Sequence, residues 1–307
     1  MELIEEFACA KVNLTLEVLG RRTNGYHALQ SLVAFALDAS DHLTLAPGAN
    51  FSLVVTGPEA AAIDSPNLIN ATVEHLKAQQ PACLTGHFHL DKRLPVASGI
   101  GGGSADAAAA LRAIARANKI PDPDGAFAAL AASLGADIPV CIGYAQSTLK
   151  SSGSRAPTIT AAFMSGIGEK VWRPSVRTLL PPGGLTALLV NPRLPVPTGA
   201  VFEALAAQPI ATEPEVEPPT PFETVDACIA YVAASRNDLE APAIATVPII
   251  ADVLAVLRAV PGCRLARMSG SGATCFALFG DLTEAQRAGD QLRRSKPAWW
   301  IQPTRLV

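Results

Sequence analysis

Four glycines and a serine stand directly ahead of an alanine-rich segment: Gly99-Ile100-Gly101-Gly102-Gly103-Ser104 runs straight into Ala105-Asp106-Ala107-Ala108-Ala109-Ala110. Alanine is the strongest helix former and glycine among the weakest, so the chain must pass from loop to helix within a residue or two. The first N–H groups of a helix have no intrahelical acceptor, and the helix dipole places positive charge there. The segment can therefore wrap backbone N–H groups around an anion and aim a helix N-terminus at it, which predicts a phosphate site. A plain glycine-rich loop capping a buried helix is the alternative. Each glycine destabilises the segment by roughly 0.5–1 kcal/mol, so three in a row point to a requirement for backbone freedom.

The loop differs from two well-known phosphate loops. A Walker A loop needs a lysine after the last glycine, and none follows here. A dinucleotide fingerprint needs Gly-x-Gly-x-x-Gly/Ala directly after a strand. Gly99-x-Gly101 fits that pattern, but the third position is Ser104, and Lys92-Arg-Leu-Pro95-Val96-Ala97-Ser98 separates the glycines from the expected strand at 87–91. With no Walker lysine, the cation that phosphate chemistry needs must come from elsewhere.

The chain of 307 residues is long enough for two domains. At 49% hydrophobic and 17% charged residues it reads as globular. A net charge of −3 argues against a nucleic-acid or anionic-membrane surface while leaving room for a local basic pocket. No apolar run approaches the roughly 18 residues of a membrane span. The start, Met1-Glu-Leu-Ile-Glu-Glu, is acidic where a signal peptide would be basic, so the expected location is cytoplasmic. Cys9, Cys83, Cys141, Cys228, Cys263 and Cys275 form no Cys-x-x-Cys pair and read as free buried thiols. His87-x-His89 lacks a matching third ligand and reads as ordinary strand.

Along the chain, strands are expected at 10–18, 31–37, 42–46, 51–56 and 87–91, with helices at 67–79, 104–118 and 124–134. In the first strand Val12, Leu14, Leu16 and Val18 share one face, and Lys11, Asn13, Thr15 and Glu17 the other. The polar stretch 146–157 reads as a loop or boundary. Beyond it, strands are expected at 185–191, 264–268 and 274–278, and helices at 200–207, 222–234, 247–260 and 283–294. Runs of strands with helices added later indicate an α+β protein, divided here at 1–157 and 158–307. The proline-rich acidic run from Glu213 reads as a spacer. No internal repeat is evident.

Five further features bear on chemistry. Lys11 and Asn13 point the same way from a strand whose other face is core; a solvated face is the plain alternative, but phosphoryl transfer needs a fixed cation. Asp137, in Leu134-Gly-Ala-Asp-Ile-Pro139, sits in a turn leading into an apolar run expected to be a strand. It either satisfies its own turn or acts as a general base, and a neighbouring lysine would keep it ionised. Ser269-Gly270-Ser271-Gly272 is a second glycine motif that forms a tight turn or brings backbone close to a phosphate or substrate. Tyr26 and His27 follow the Asn24-Gly25 turn signal and suit stacking on a base. Asp106, early in the expected helix, suits the dipole yet would repel a phosphate unless turned away or bridged by metal.

These elements occur together and in this order in one family. On Ala10-Lys-Val-Asn-Leu14, Gly20-Arg-Arg-Thr-Asn-Gly-Tyr-His27, Asp91-Lys-Arg-Leu-Pro95, the glycine loop, Leu134-Gly-Ala-Asp-Ile-Pro139 and Ser269-Gly-Ser-Gly-Ala273, the chain resembles the GHMP small-molecule kinases from about residue 8 to about residue 280. The resemblance implies a two-domain fold, with a ribosomal-protein-S5-like N-terminal domain for ATP and a ferredoxin-like C-terminal domain for substrate. It implies ATP as donor with magnesium (Mg2+), and as acceptor the 2-hydroxyl of a cytidine diphosphate methylerythritol. Carried over by motif, Asp137 is the base and Lys11 its charge partner. Pro95, Val96, Ala97, Ser98, Gly99, Ile100, Gly101, Gly102, Gly103 and Ser104 cradle the phosphates, with Ser104 as the metal contact. Asn67, Leu68 and Ile69 border the adenine. Tyr26 and His27 hold the cytosine, and Asn13, Thr198, Gly270 and Gly272 face the substrate. Two departures stand out: Ala105 replaces a frequent second serine, so Ser104 must suffice for metal, and 146–157 is longer than the usual connection. A mevalonate- or homoserine-type kinase, or a non-catalytic sensor of the same fold, are the alternatives. The retained Lys11 and Asp137 argue against a sensor. The expected partners are small molecules, with no nucleic acid and no membrane; monomer and homodimer both remain open.

Overall fold

The computed structural model describes residues 2–63, 67–121, 123–143, 159–175 and 178–307. Its elements are β1 (Ile4–Asn13), β2 (Glu17–Arg21), β3 (His27–Ala46), β4 (Ser52–Thr56), α1 (Leu68–Gln79), β5 (His87–Asp91), α2 (Gly102–Ala117), α3 (Pro123–Leu134) and α4 (Ile138–Ile142). After these come β6 (Ala162–Gly166), β7 (Lys170–Trp172), β8 (Leu185–Asn191), α5 (Thr198–Leu205), α6 (Val225–Ala234), α7 (Glu240–Thr246), α8 (Ile249–Ala259), β9 (Leu265–Met268), β10 (Cys275–Phe279), α9 (Leu282–Ser295) and β11 (Trp300–Leu306). The segment 146–157, and the boundary placed at its end, lie outside the described residues. Among the described residues no helix is long and apolar enough to cross a membrane.

The chain divides into two compact units that interleave in sequence. One comprises Met1–Ala10, Ala39–Val96 and Gly101–Thr160; the other comprises Lys11–Asp38, Ala97–Ile100 and Ala161–Val307. In the first, β4 runs parallel to β5 with α1 as the crossover, and β5 is antiparallel to the end of β3, pairing Asp91 with His42. Helix α2 is buried from Ala105 to Ala115, which its alanines permit because small side chains let neighbouring helices approach from every side.

In the second unit β8, β9, β10 and β11 form an antiparallel sheet in the order β11-β8-β10-β9, with Cys275 opposite both Val190 and Met268. Helices lie between β8 and β9 and between β10 and β11. This is the ferredoxin-like arrangement the family resemblance implies. Leu188, Val190, Cys275, Ala277 and Phe279 bury one sheet face against Val253, Leu254 and Leu257 of α8 and Ala285, Ala288 and Leu292 of α9. Apolar residues at helical spacing on α8 and α9 explain that packing.

Several expected elements take a different form. The strand at 10–18 breaks after Asn13, and Lys11, Asn13 and Thr15 are buried along with Val12 and Leu14, so neither face is solvated. The strands at 31–37 and 42–46 are one continuous strand, β3. The apolar run after Asp137 is the short helix α4 rather than a strand. A brief apolar run cannot distinguish a strand from a buried helical turn, and Pro139 in its first turn favours the helix. All six cysteines are free and five are buried; burial pushes the Cys228 thiol up to about 12, which leaves it inert at neutral pH.

Candidate active site

The two glycine motifs meet backbone to backbone in the second unit. A Cβ on Gly99 would lie 2.6 Å from the Gly272 carbonyl oxygen and 2.7 Å from the Ser269 carbonyl oxygen. Gly99 (φ 76°), Gly270 (φ 55°) and Gly272 (φ 86°) all occupy the left-handed region. Only glycine meets both demands at Gly99. The Ser269 hydroxyl donates to the Gly99 carbonyl (3.1 Å) and accepts the Asn13 backbone N–H (3.0 Å), while the Thr274 N–H donates to the Ser98 carbonyl (3.1 Å). The Lys11 N–H bonds the Ile100 carbonyl at 2.9 Å, so strand and loop are tied by main chain.

Lys11 is 3% exposed and donates from Nζ to Asn13 Oδ1 (2.9 Å); Asn13 Nδ2 in turn donates to Ser31 Oγ (2.8 Å), and the Ser31 hydroxyl donates to the Thr15 carbonyl. The structure thus brings together Lys11, Asn13, Gly99, Gly270 and Gly272.

Gly101 (φ 64°) is the left-handed N-cap of α2, with Gly102, Gly103 and Ser104 in its first turn. Those first-turn N–H groups have no intrahelical acceptor. In the first unit, a Cβ on Gly103 would stand 3.3 Å from Leu68 Cδ1, so the N-terminus of α1 abuts this turn. Asn67 caps α1 through a 2.9 Å bond to the Ile69 N–H. The expected adenine border, Asn67, Leu68 and Ile69, therefore lies beside the end of the phosphate loop. Pro95 and Ser98 are buried, and Ala97 takes a left-handed φ of 51°, unusual for a side chain with Cβ.

Asp137 precedes α4 as its N-cap position, but its carboxylate makes no capping bond to that helix. It is half-buried. The far end of α4 is held by Arg112, which is buried and donates to the Cys141 carbonyl (2.9 Å), the Phe7 carbonyl (2.8 Å) and Glu6 Oε2 (2.9 Å). Sequence reasoning missed Arg112, which looks like any helix-surface arginine. Replacing it with methionine removes its bonds to two carbonyls, one buried and one part-buried, and its ion pair with Glu6. We expect Arg112→Met to lower stability by about 3 kcal/mol in chemical denaturation.

Tyr26 is 59% exposed, as a free stacking face requires. His27 stacks on Phe202 of α5, with centroids 4.8 Å apart and planes at 26°. Phe202 also went unrecognised in the sequence, although it lies one helical turn after Thr198 and so shares its face. Thr198 Oγ1 bonds Ser271 Oγ at 2.8 Å, linking α5 to the second glycine motif. Burial, then the Arg21 guanidinium, lowers the His27 pKa, so its ring is neutral at pH 7 and offers one donor and one acceptor.

Asp106 is buried against Lys92, with Oδ2 2.6 Å from Nζ.

Comparison with known proteins bears on this geometry. The family description "GHMP kinases N terminal domain" matches residues 67–143, and "GHMP kinases C terminal" matches residues 227–298. The chain is 48% identical to a 4-diphosphocytidyl-2-C-methyl-D-erythritol kinase of Methylobacterium radiotolerans and 44% identical to one of Methylorubrum extorquens, covering 100% of both chains in each case. A crystal structure of 4-(cytidine 5'-diphospho)-2C-methyl-D-erythritol kinase superposes with a TM-score of 0.69 at 31% identity, covering 99% of each chain. A homoserine kinase of Cytophaga hutchinsonii shares the fold at 15% identity and a TM-score of 0.63. Full-length identity of this order, on a chain carrying both glycine motifs, has one consequence: the chain belongs to the GHMP kinases and, among them, to the family of 4-diphosphocytidyl-2-C-methyl-D-erythritol kinases.

Proposed function

We propose that this chain transfers the γ-phosphoryl group of ATP to the 2-hydroxyl of 4-diphosphocytidyl-2-C-methyl-D-erythritol, giving the 2-phosphate and ADP. The observation that carries the acceptor is the 48% identity, over the whole length, to a relative named for that kinase activity. ATP binding falls to residues 1–157, and acceptor binding to 158–307 together with Asn13, Tyr26 and His27.

In this reading the 2-hydroxyl oxygen attacks the γ-phosphorus, its proton passes to an Asp137 carboxylate oxygen, and the bond to the β,γ-bridging oxygen breaks as ADP leaves. Lys11, proposed as the charge partner of Asp137, offsets the charge that develops on the transferring group. The α2 N-terminus and the loop from Pro95 to Ser104 hold the phosphates. Tyr26 stacks on the cytosine, while neutral His27, braced by Phe202, hydrogen-bonds its edge.

The donor set suits magnesium carried on the nucleotide. Among the described residues no three His, Cys, Asp or Glu side chains cluster for a metal, and Asp106 is taken up by Lys92. Magnesium keeps several waters and binds mostly through substrate phosphates, so the Ser104 hydroxyl is a sufficient protein contact. When bound, it would neutralise charge on the β- and γ-phosphates.

Release of ADP with the cytidine ester as acceptor tests the assignment. Turnover with it and none with homoserine or mevalonate is expected; the reverse pattern moves the chain to another branch of the superfamily. Tyr26→Ala should raise KM for the cytidine ester about tenfold and leave KM for ATP unchanged, since one base–aromatic stack is worth about 1–3 kcal/mol. A shift in KM for ATP instead would remove Tyr26 from the acceptor site.

A further inference from the structure

Beneath the phosphate loop, in the first unit, lies an ion cluster that the proposed chemistry does not use. Lys92, at 3% exposure, directs Nζ to Asp41 Oδ2 and to Asp106 Oδ2, both at 2.6 Å; the two carboxylates are 0% and 1% exposed. The three residues come from the end of β3, the end of β5 and the second turn of α2. Burying three charged groups together is costly unless each is well bonded, so the cluster is a weak contributor to stability. Its placement explains it better.

Asp41 uses its other oxygen, Oδ1, to accept the backbone N–H groups of Arg93 (2.6 Å) and Leu94 (2.8 Å). Those are the residues through which the chain leaves β5 for the loop. Asp106 grips the same ammonium from α2, the helix the loop leads into. The Lys92 head also reaches beneath the first residue of that helix: a Cβ on Gly102 would stand 3.3 Å from Nζ. One ammonium thus joins both ends of the loop.

We propose that Lys92, held by Asp41 and Asp106, is a positioning residue that fixes the two ends of the phosphate loop in register for nucleotide binding. The proposal rests on the nucleotide role of the loop given above. Burial opposes the charge on Lys92, but the two carboxylates outweigh it and hold its pKa above the ordinary lysine value. Burial pushes the Asp106 carboxyl well above the usual carboxylate range, against the pull of Lys92. Its second oxygen, Oδ1, is buried with no hydrogen-bond partner among the described residues. The 2.6 Å bond to Lys92 therefore helps orient Asp106.

Steady-state kinetics separate positioning from general support. Lys92→Met should raise KM for ATP tenfold or more, leaving KM for the acceptor within twofold and melting within a few degrees of the parent. Asp106→Asn keeps a carbonyl acceptor for Nζ and should hold KM for ATP within threefold. If Lys92→Met fails to fold, Asp41→Asn carries the test. Its amide must forfeit either Lys92 or the Arg93 and Leu94 N–H groups, and KM for ATP should again rise selectively. A folded Lys92→Met or Asp41→Asn protein with unchanged KM for ATP, or with both KM values raised together, overturns the proposal. Gly101→Ala distinguishes the two levels. If it raises KM for ATP while the cluster variants do not, only the cluster's role fails; if it too leaves KM for ATP unchanged, the nucleotide role of the loop fails.

Discussion

Asp137→Asn should cut kcat by roughly a thousandfold or more while changing the affinity for ATP less than threefold. The substitution keeps size and shape and removes only the capacity to take a proton. The amide fills the same space and can still hydrogen-bond, so melting should shift by no more than a few degrees. Isothermal titration with a non-hydrolysable ATP analogue, run beside the kinetic assay, separates the two effects. A kcat within tenfold of the parent would remove Asp137 as the base. A loss of ATP binding equal to the loss of kcat would make it a binding residue instead. Lys11→Met should act in the same direction, since in the proposed mechanism the ammonium is the charge partner of Asp137.

Gly99→Ala should both destabilise the fold and abolish activity. Its φ of 76° disfavours any Cβ, and the added carbon would sit 2.6 Å from the Gly272 carbonyl oxygen. Strain of about 1–2 kcal/mol and overpacking of about 1–3 kcal/mol act together. Gly25→Ala is the matched control. Gly25 has a φ of 88°, but nothing lies within 4 Å of the added carbon, so only the conformational penalty of about 1 kcal/mol applies. Denaturant unfolding should place Gly99→Ala at about 2–5 kcal/mol below the parent, with activity lost as the two glycine motifs separate. Equal destabilisation by the two variants would show that the close approach of Gly99 and Gly272 carries no energy.

The loop and its helix were legible because their signal is local: glycines where φ is positive, alanines where a helix is buried. The ferredoxin-like sheet was legible as far as β10 for the same reason. Its last strand, β11, went unread because Pro303 argues against a strand. The structure tolerates that proline because β11 meets β3 only at Leu306 opposite Ala36, so no ladder partner stands across from Pro303 on that side. Helix α7 was hidden by Pro242 in its first turn, and α4 by a run too short to show a period. In the site, Lys11, Asn13 and the glycines could be named from motif, but their burial could not. It depends on contacts such as Asn13 with Ser269, residues far apart in sequence. The Asp41–Lys92–Asp106 cluster and the His27–Phe202 stack left no local trace, since each joins side chains whose residue types are ordinary where they stand.

The central claim is that the phosphate loop, Lys11 and Asp137 pass a phosphoryl group to the 2-hydroxyl of the cytidine ester. Phosphorus NMR of the product formed from ATP, magnesium and that ester tests it most directly. The account predicts ADP in equal amount with one new phosphomonoester resonance, coupled to no carbon-bound proton because the 2-carbon bears the methyl group. Inorganic phosphate in place of that resonance, or a monoester coupled to a neighbouring proton, would contradict it.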